Sequence, residues 1–269
     1  MASTWKEDGM AAPFFGPEAW APMAKALVAY LGGDEGAVLT VHSDEGEPDP
    51  LPVSLFFRSR EELREVDREA LALVQGRVLD VGAGVGSLSL ILQESGVAVT
   101  AVEVIPEAAE IMVVRSVRDA REGRVEDLPP SQDFDTALLL MNGAALAGTL
   151  PRLPTLFQTL NGLLAPGGQV LLDSTDLLER GEGSPTDPTW TEGEYPGELQ
   201  YQMEFRGERG APFPQLFIDP ATLHEVASTA GWRSELAWQG RAGEFLARLT
   251  REGEFVADSG GAALGGQAP

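Results

Sequence analysis

The chain has 269 residues, with 42 acidic and 19 basic side chains, a formal net charge of −23 and no cysteine. The missing cysteine excludes disulfides, cysteine zinc sites and thiol nucleophiles. The charge argues against nucleic acid and anionic membranes as partners, since clustered Lys and Arg hold both, and the length predicts one or two domains with a large buried core.

The first ten residues, MASTWKEDGM, carry neither the basic nor the apolar segment of a secretory signal. The longest apolar stretch, Thr136 to Leu150, contains Asn142 and is shorter than the ~20 residues of a membrane helix. A cytoplasmic protein is expected. Residues 1–60 read as an N-terminal cap segment, irregular and rich in Pro and Gly, with acids crowded from Asp44 to Asp49. One amphipathic helix is predicted there, Pro17 to Leu31, stopped by Gly32-Gly33. A second helix is predicted from Ser59 to Val74, with Ser59 as N-cap and Glu62 completing a capping box.

Residues 61–251 read as an α/β domain. Arg77 to Val81 is a short apolar strand that runs into Gly82-Ala83-Gly84-Val85-Gly86 and a helix from Ser87 to about Glu94. Val97 to Glu103 is a second strand, and Pro106 opens the next helix at its favoured first turn. A weaker strand lies near Asp119 to Val125. Phe134 to Met141 is a continuous apolar run, the pattern of a parallel strand buried on both faces. A helix from Thr155 to Leu164 is predicted to end at Pro166-Gly167-Gly168, and Gln169 to Asp173 is another buried strand. Asp219-Pro220 starts a helix that Gly231 ends, and Ser234–Trp238 and Glu244–Leu249 pair as an antiparallel edge. Strands alternating with helices at this spacing predict a doubly wound parallel sheet. Residues 174–218 interrupt the alternation as an insertion, read as a flap with a β-hairpin of Glu198–Phe205 and Phe213–Ile218. Residues 252–269 read as a flexible tail.

The chemistry is expected at Asp80-Val81-Gly82-Ala83-Gly84-Val85-Gly86. Glycines let backbone turn tightly and approach a ligand, and the following helix offers free N–H groups to an anion. Glu103 ends the next strand 21 residues after Gly82, where a carboxylate can accept both hydroxyls of an adenosine ribose. The third glycine comes one residue earlier than in G-x-G-x-x-G, with Ser87 at the dinucleotide position. Asp80 would repel a pyrophosphate and attract an α-amino group. The ligand implied is an adenosine bearing an amino acid.

Here the sequence resembles the class I S-adenosylmethionine-dependent methyltransferases, through VLDVGAGVG (78–86), VTAVEVIP (99–106), FDTALLLMNG (134–143) and LLAPGGQVLLD (163–173), over residues 77–173 and 219–250. The resemblance implies a Rossmann-like, doubly wound seven-stranded sheet in the order 3-2-1-4-5-7-6, the last strand antiparallel. It implies S-adenosylmethionine as cofactor, with Asp80, Gly82 and Gly84 on its methionine part, Ala83 and Gly86 also among the cofactor-binding residues, and Glu103 on the ribose. It puts Val104 and Val125 beside the adenine, and Met141 and Asn142 at the transfer centre. Arg124 stands where many members carry an Asp for the adenine amino group, which leaves that contact to Glu126, Asp127 or backbone.

The acceptor is expected to be a small molecule, since negative charge is general and the N-terminal segment and flap can close over the crevice. Asn142, Asp173, Asp176 and Tyr195 are candidates for its pocket. Trp190, Tyr195, Tyr201 and Phe205 fit either a lid or packing of the flap on the sheet. Neither His42, in an acidic loop, nor His224, on a helix, is a good base, and the acids show no metal-ligand spacing with His. Two alternatives share the loop: an aminopropyl transferase, and a cofactor-binding protein without catalysis. A nicotinamide oxidoreductase fits less well. Only Lys6 and Lys25 are lysines, and such an acidic, Lys-poor surface fits either high-salt adaptation or an Arg-rich coding bias.

Overall fold

A computed structural model describes residues 16–44, 46–177 and 195–251. The expected tail at 252–269 and Trp190 lie outside the described residues. The chain begins with α1 (Pro17–Leu31), where Pro17 takes the first turn and Gly32 caps the end. It continues as β1 (Val38–Ser43) and β2 (Asp49–Pro52), an antiparallel hairpin across a stretch read from sequence as irregular. The helix expected from Ser59 begins later, as α2 (Glu65–Leu73). Glu62 does accept the Ser59 N–H, at 2.9 Å, but that bond closes a turn. The helix is opened instead by Asp67, whose carboxylate accepts the Arg64 N–H at 3.2 Å.

Then come β3 (Val78–Val81), α3 (Ser87–Glu94), β4 (Val99–Glu103), α4 (Pro106–Val114), β5 (Ala120–Glu122) and β6 (Phe134–Leu139). α5 (Leu153–Leu163) leads directly into β7 (Leu164–Thr175). Pro166-Gly167-Gly168 therefore lies inside the strand, at a register shift against β6, and does not terminate the helix. The insertion supplies β8 (Glu198–Phe205), β9 (Glu208–Arg209) and β10 (Phe213–Leu216). α6 (Pro220–Thr229), capped by the Asp219 carboxylate on Thr222 N–H, precedes β11 (Trp232–Gln239) and β12 (Glu244–Arg251).

Seven strands form one sheet in the order β5-β4-β3-β6-β7-β12-β11, parallel through β7, with β12 antiparallel to both neighbours. Counted within the sheet this is the expected 3-2-1-4-5-7-6. Its strands are apolar on both sides because helices cover both faces. Leu138 packs with α2 and α3, while Ala137 and Leu139 pack with α5 and α6.

The N-terminal hairpin and the insertion form a second sheet, β10-β8-β1-β2, with β9 on β8. The inserted flap is thus joined to the N-terminal segment through strand pairing. β8 pairs on one edge with β10, as the hairpin predicts, and on its other edge with β1, from more than 150 residues earlier. Bare strand edges seek partners, and each half here supplies the other's. α1 packs against β8 and α4, which joins the second sheet to the first.

Gly86 has a packing role. It caps α3 at φ +77°, and a Cβ there would lie 2.6 Å from Val117 Cγ2. Left-handed strain and overpacking add, so Gly86→Ala should cost about 2–4 kcal/mol in urea denaturation.

Candidate functional site

Parallel strands of a doubly wound sheet end at a crevice, and loops there meet a ligand. The carboxyl ends of β3, β4 and β6 open into one cavity of about 530 Å³. α1 and the second sheet close it from the opposite side.

The turn after β3 needs left-handed backbone, with φ +68° at Gly82 and +57° at Gly84. A Cβ on Gly82 would approach Leu146 at 3.1 Å, whereas Gly84 has nothing within 4 Å of that position. Glu103 is held against this turn. Its Oε2 accepts the Gly84 N–H at 2.8 Å and its Oε1 accepts the Ile105 N–H at 2.9 Å. A carboxylate has about four acceptor positions, so further lone pairs remain on a group that lines the cavity. Burial pushes the Glu103 carboxyl above its ordinary range, and the backbone N–H groups act against that rise.

Asp80 also lines the cavity and is 4% exposed. Ser89 Oγ–H donates to its Oδ2 at 2.6 Å. Burial, reinforced by the negative charge of Glu103, raises its carboxyl from 3.8 to about 6. Two buried acids thus face one space, and a cation placed there would relieve both.

Of the residues expected around a cofactor, Asp80, Gly82, Ala83, Gly84, Glu103, Val104, Val125, Met141 and Asn142 line the cavity together. Gly86 is not among the lining residues. Met141 and Asn142 have φ of +65° and +63°, a strained pair that turns the chain sharply after β6. The Asn142 side chain holds this corner. Its Nδ2 donates to the Leu216 carbonyl at 3.0 Å, and its Oδ1 accepts Ser174 Oγ–H at 2.7 Å. Both amide atoms therefore tie β6 to β7 and to the second sheet.

The acceptor candidates divide. Asp173 lines the cavity, but its oxygens are engaged by Arg64 at 3.0 Å and by the Gly143 N–H at 3.0 Å. Asp176 lies off the cavity, with its N–H donating to the Gly243 carbonyl. The Tyr195 hydroxyl donates to Asp219 Oδ2 at 2.8 Å and packs by the α6 core, also off the cavity. The insertion aromatics also separate, since Tyr201 lines the cavity while Phe205 packs against α1. His42 pairs with Glu204 at 3.0 Å and His224 is exposed, so neither lines the cavity.

Arginines just before the start of α2 also line the cavity, a feature the sequence reading did not single out. Arg58 and Arg64 flank the fully buried Asp67, with Arg58 Nη2 3.1 Å from it, and Arg64 continues to Asp173. Arg58 is 5% exposed and its Nε has no hydrogen-bond partner. Among the described residues it is the cavity-lining side chain with such a buried, unsatisfied atom. The sequence signal was present, in arginines bracketing a helix start next to an acid, but nothing local showed that this helix start abuts the strand ends.

At the far end of the cavity Arg124 pairs with Glu126 at 3.3 Å, beside Val125. Asp127 Oδ2 accepts the Arg124 N–H at 3.1 Å, and Asp127 does not line the cavity.

Residues 56–233 match a protein family described as a methyltransferase domain. A solved S-adenosylmethionine-dependent methyltransferase from Bacteroides fragilis, in complex with S-adenosyl-L-homocysteine, is 36% identical with a TM-score of 0.78, over 90% of this chain and 98% of that one. A ribosomal RNA small subunit methyltransferase A from Bifidobacterium adolescentis is 34% identical over 138 residues, 45% of each chain. A ubiquinone biosynthesis O-methyltransferase from Xanthomonas euvesicatoria is 32% identical over 111 residues, 39% of this chain and 45% of that one. The chain thus spans less than half the length of these two curated relatives.

Proposed function

The chain belongs to the class I S-adenosylmethionine-dependent methyltransferases, and from that premise we propose that it moves the cofactor's methyl group to a small-molecule acceptor. The observation that carries the reading is the bond between Glu103 and the Gly84 N–H in the wall of a cavity that also holds Asp80.

The cavity's unsatisfied chemistry fits the cofactor group by group. Asp80 answers the α-ammonium. Arg58 Nε, buried without a partner, answers the α-carboxylate. The spare lone pairs of Glu103 answer the ribose hydroxyls. Val104 and Val125 supply apolar contact for the adenine, and Glu126, positioned by Arg124, accepts from its amino group. Asp127 is already committed to the backbone of Arg124. When bound, the cofactor supplies a methyl group on sulfur that is already activated for transfer.

The chain's own work is then orientation and exclusion of water. The strained corner at Met141 and Asn142, pinned by Ser174 and Leu216, sets the position of the wall beside the transfer centre. α1 and the second sheet cover the crevice.

Two observations favour a small acceptor over RNA: the net charge of −23, and the roof over the cavity. The test is calorimetry with S-adenosylmethionine, followed by assay of S-adenosylhomocysteine release with a low-molecular-weight cell fraction and with ribosomal RNA. Binding, and release with the small-molecule fraction, are expected. Failure to bind overturns the methyltransferase reading, and release with RNA alone overturns the acceptor class.

A further inference from the structure

The acceptor half of the cavity has a chemistry of its own. α1 presents Trp20, Met23 and Leu27 to it, one stripe at helical spacing. The second sheet presents its inner face in cross-strand pairs. Val41 lies opposite Met203, and Phe213 lies opposite Tyr201. Alternation places polar partners on the outer face, where His42 and, from β9, Arg209 both bond to the Glu204 carboxylate.

No charged side chain from α1 or the second sheet lines the cavity among the described residues. Their polar contributions are Tyr201 and Gln215. The charged lining groups belong to the other wall, and several are already engaged there: Arg64 with Asp173, and Arg124 with Glu126. A charged acceptor would leave water for a wall without a counter-ion, which is strongly unfavourable. The rings are also grouped. Trp20 and Phe213 have centroids 4.7 Å apart, and Tyr201 meets Phe213 edge-on at 6.3 Å. Such a cluster offers faces and edges to another ring.

We infer that the acceptor is an uncharged, planar, largely apolar ring compound carrying a hydrogen-bonding group, seated between α1 and the inner face of the second sheet. This rests on the methyltransferase reading for the nature of the reaction, but the chamber itself can be probed separately.

Calorimetry would titrate 2-naphthol into protein saturated with S-adenosylhomocysteine, and into protein without it. 2-Naphthoate and 2-naphthylmethylammonium serve as charged counterparts. 2-Naphthol should bind, and both charged probes should bind at least tenfold more weakly. Val41→Trp, which fills the chamber from a half-buried position, and Trp20→Ala should each weaken 2-naphthol at least tenfold. Both should leave S-adenosylhomocysteine affinity within twofold, which also reports that the variants fold. The inference is overturned if 2-naphthol fails to bind, if a charged probe binds as well, or if both variants that retain S-adenosylhomocysteine bind 2-naphthol unchanged. If the wild type binds 2-naphthol but not S-adenosylhomocysteine, the chamber stands and the cofactor assignment falls.

Discussion

Asp80→Asn is expected to abolish cofactor binding while making the protein without cofactor more stable. The two effects have one origin. The Asp80 carboxyl is raised from 3.8 to about 6 by burial beside Glu103. A group whose folded value lies above its unfolded value gives stability below pH 3.8 that is lost as pH rises through 6. At neutral pH the buried carboxylate therefore costs about 3 kcal/mol, from roughly two decades at ~1.4 kcal/mol each. Asparagine removes the charge and keeps an oxygen to accept the Ser89 hydroxyl. Thermal melts at pH 7.5 should rise by several degrees, about 2–4 °C per kcal/mol for a chain of this size. The rise should fade as pH falls below 5. Cofactor affinity in the wild type should be greatest between about pH 6 and ~8, falling about tenfold per pH unit below 6 as Asp80 takes up a proton and falling again above ~8 as the cofactor's α-ammonium loses one. An unchanged or lower melting temperature in Asp80→Asn at neutral pH would show that the burial cost is met by the protein itself.

Whether a feature was legible in the sequence depends on how local its signal is. The seven-strand sheet was legible because its signals are local. Val78 to Val81 and Phe134 to Leu139 are apolar on both faces, and Gly82, Gly84 and Gly86 follow a strand and precede a helix. Glu103 was legible through its spacing alone. The second sheet was not. Val38 to Ser43 has β-branched residues at Val38, Thr40 and Val41 but an exposed or half-buried outer face, and the acids after it suggested a loop. Its pairing with Thr40↔Glu204 and Ser43↔Tyr201 is set by tertiary contact at long separation, for which no local pattern exists.

The site shows the same division. Asp80 and the loop, expected at the crevice from their motif, line the cavity, whereas Arg58 gave no local signal of its place there, which depends on being 5% exposed with an unpartnered Nε. Asn142, expected to contact the cofactor or the acceptor, lines the cavity. Its amide is committed to Ser174 and Leu216, so it acts on the site by holding the corner. Tyr195 was drawn toward the cavity by its place in the insertion, yet its hydroxyl is committed to Asp219, the N-cap of α6. Burial and partner choice are properties of the assembled chain, and they decided each of these cases.

Glu103→Gln should reduce affinity for S-adenosylmethionine by about 10²–10⁴-fold, with a much smaller change in stability. The carboxylate accepts Gly84 N–H on one oxygen and Ile105 N–H on the other. Glutamine keeps the shape but has one oxygen, so its amide N–H faces one of these donors and leaves it unsatisfied. On the proposed ribose assignment the variant also loses two charge-assisted bonds, each about 1.5–3 kcal/mol. Stability moves less because opposing effects meet: the buried charge disappears, which favours the fold, and an N–H is orphaned, which opposes it. The ribose assignment is isolated by analogues of the cofactor lacking the 2′- or 3′-hydroxyl. Wild type should bind each at least tenfold more weakly than the parent, and Glu103→Gln should scarcely distinguish them, the signature of a coupled pair in a double-mutant cycle. Equal discrimination by wild type and variant would move the ribose away from Glu103 and leave that residue as a brace for the glycine turn.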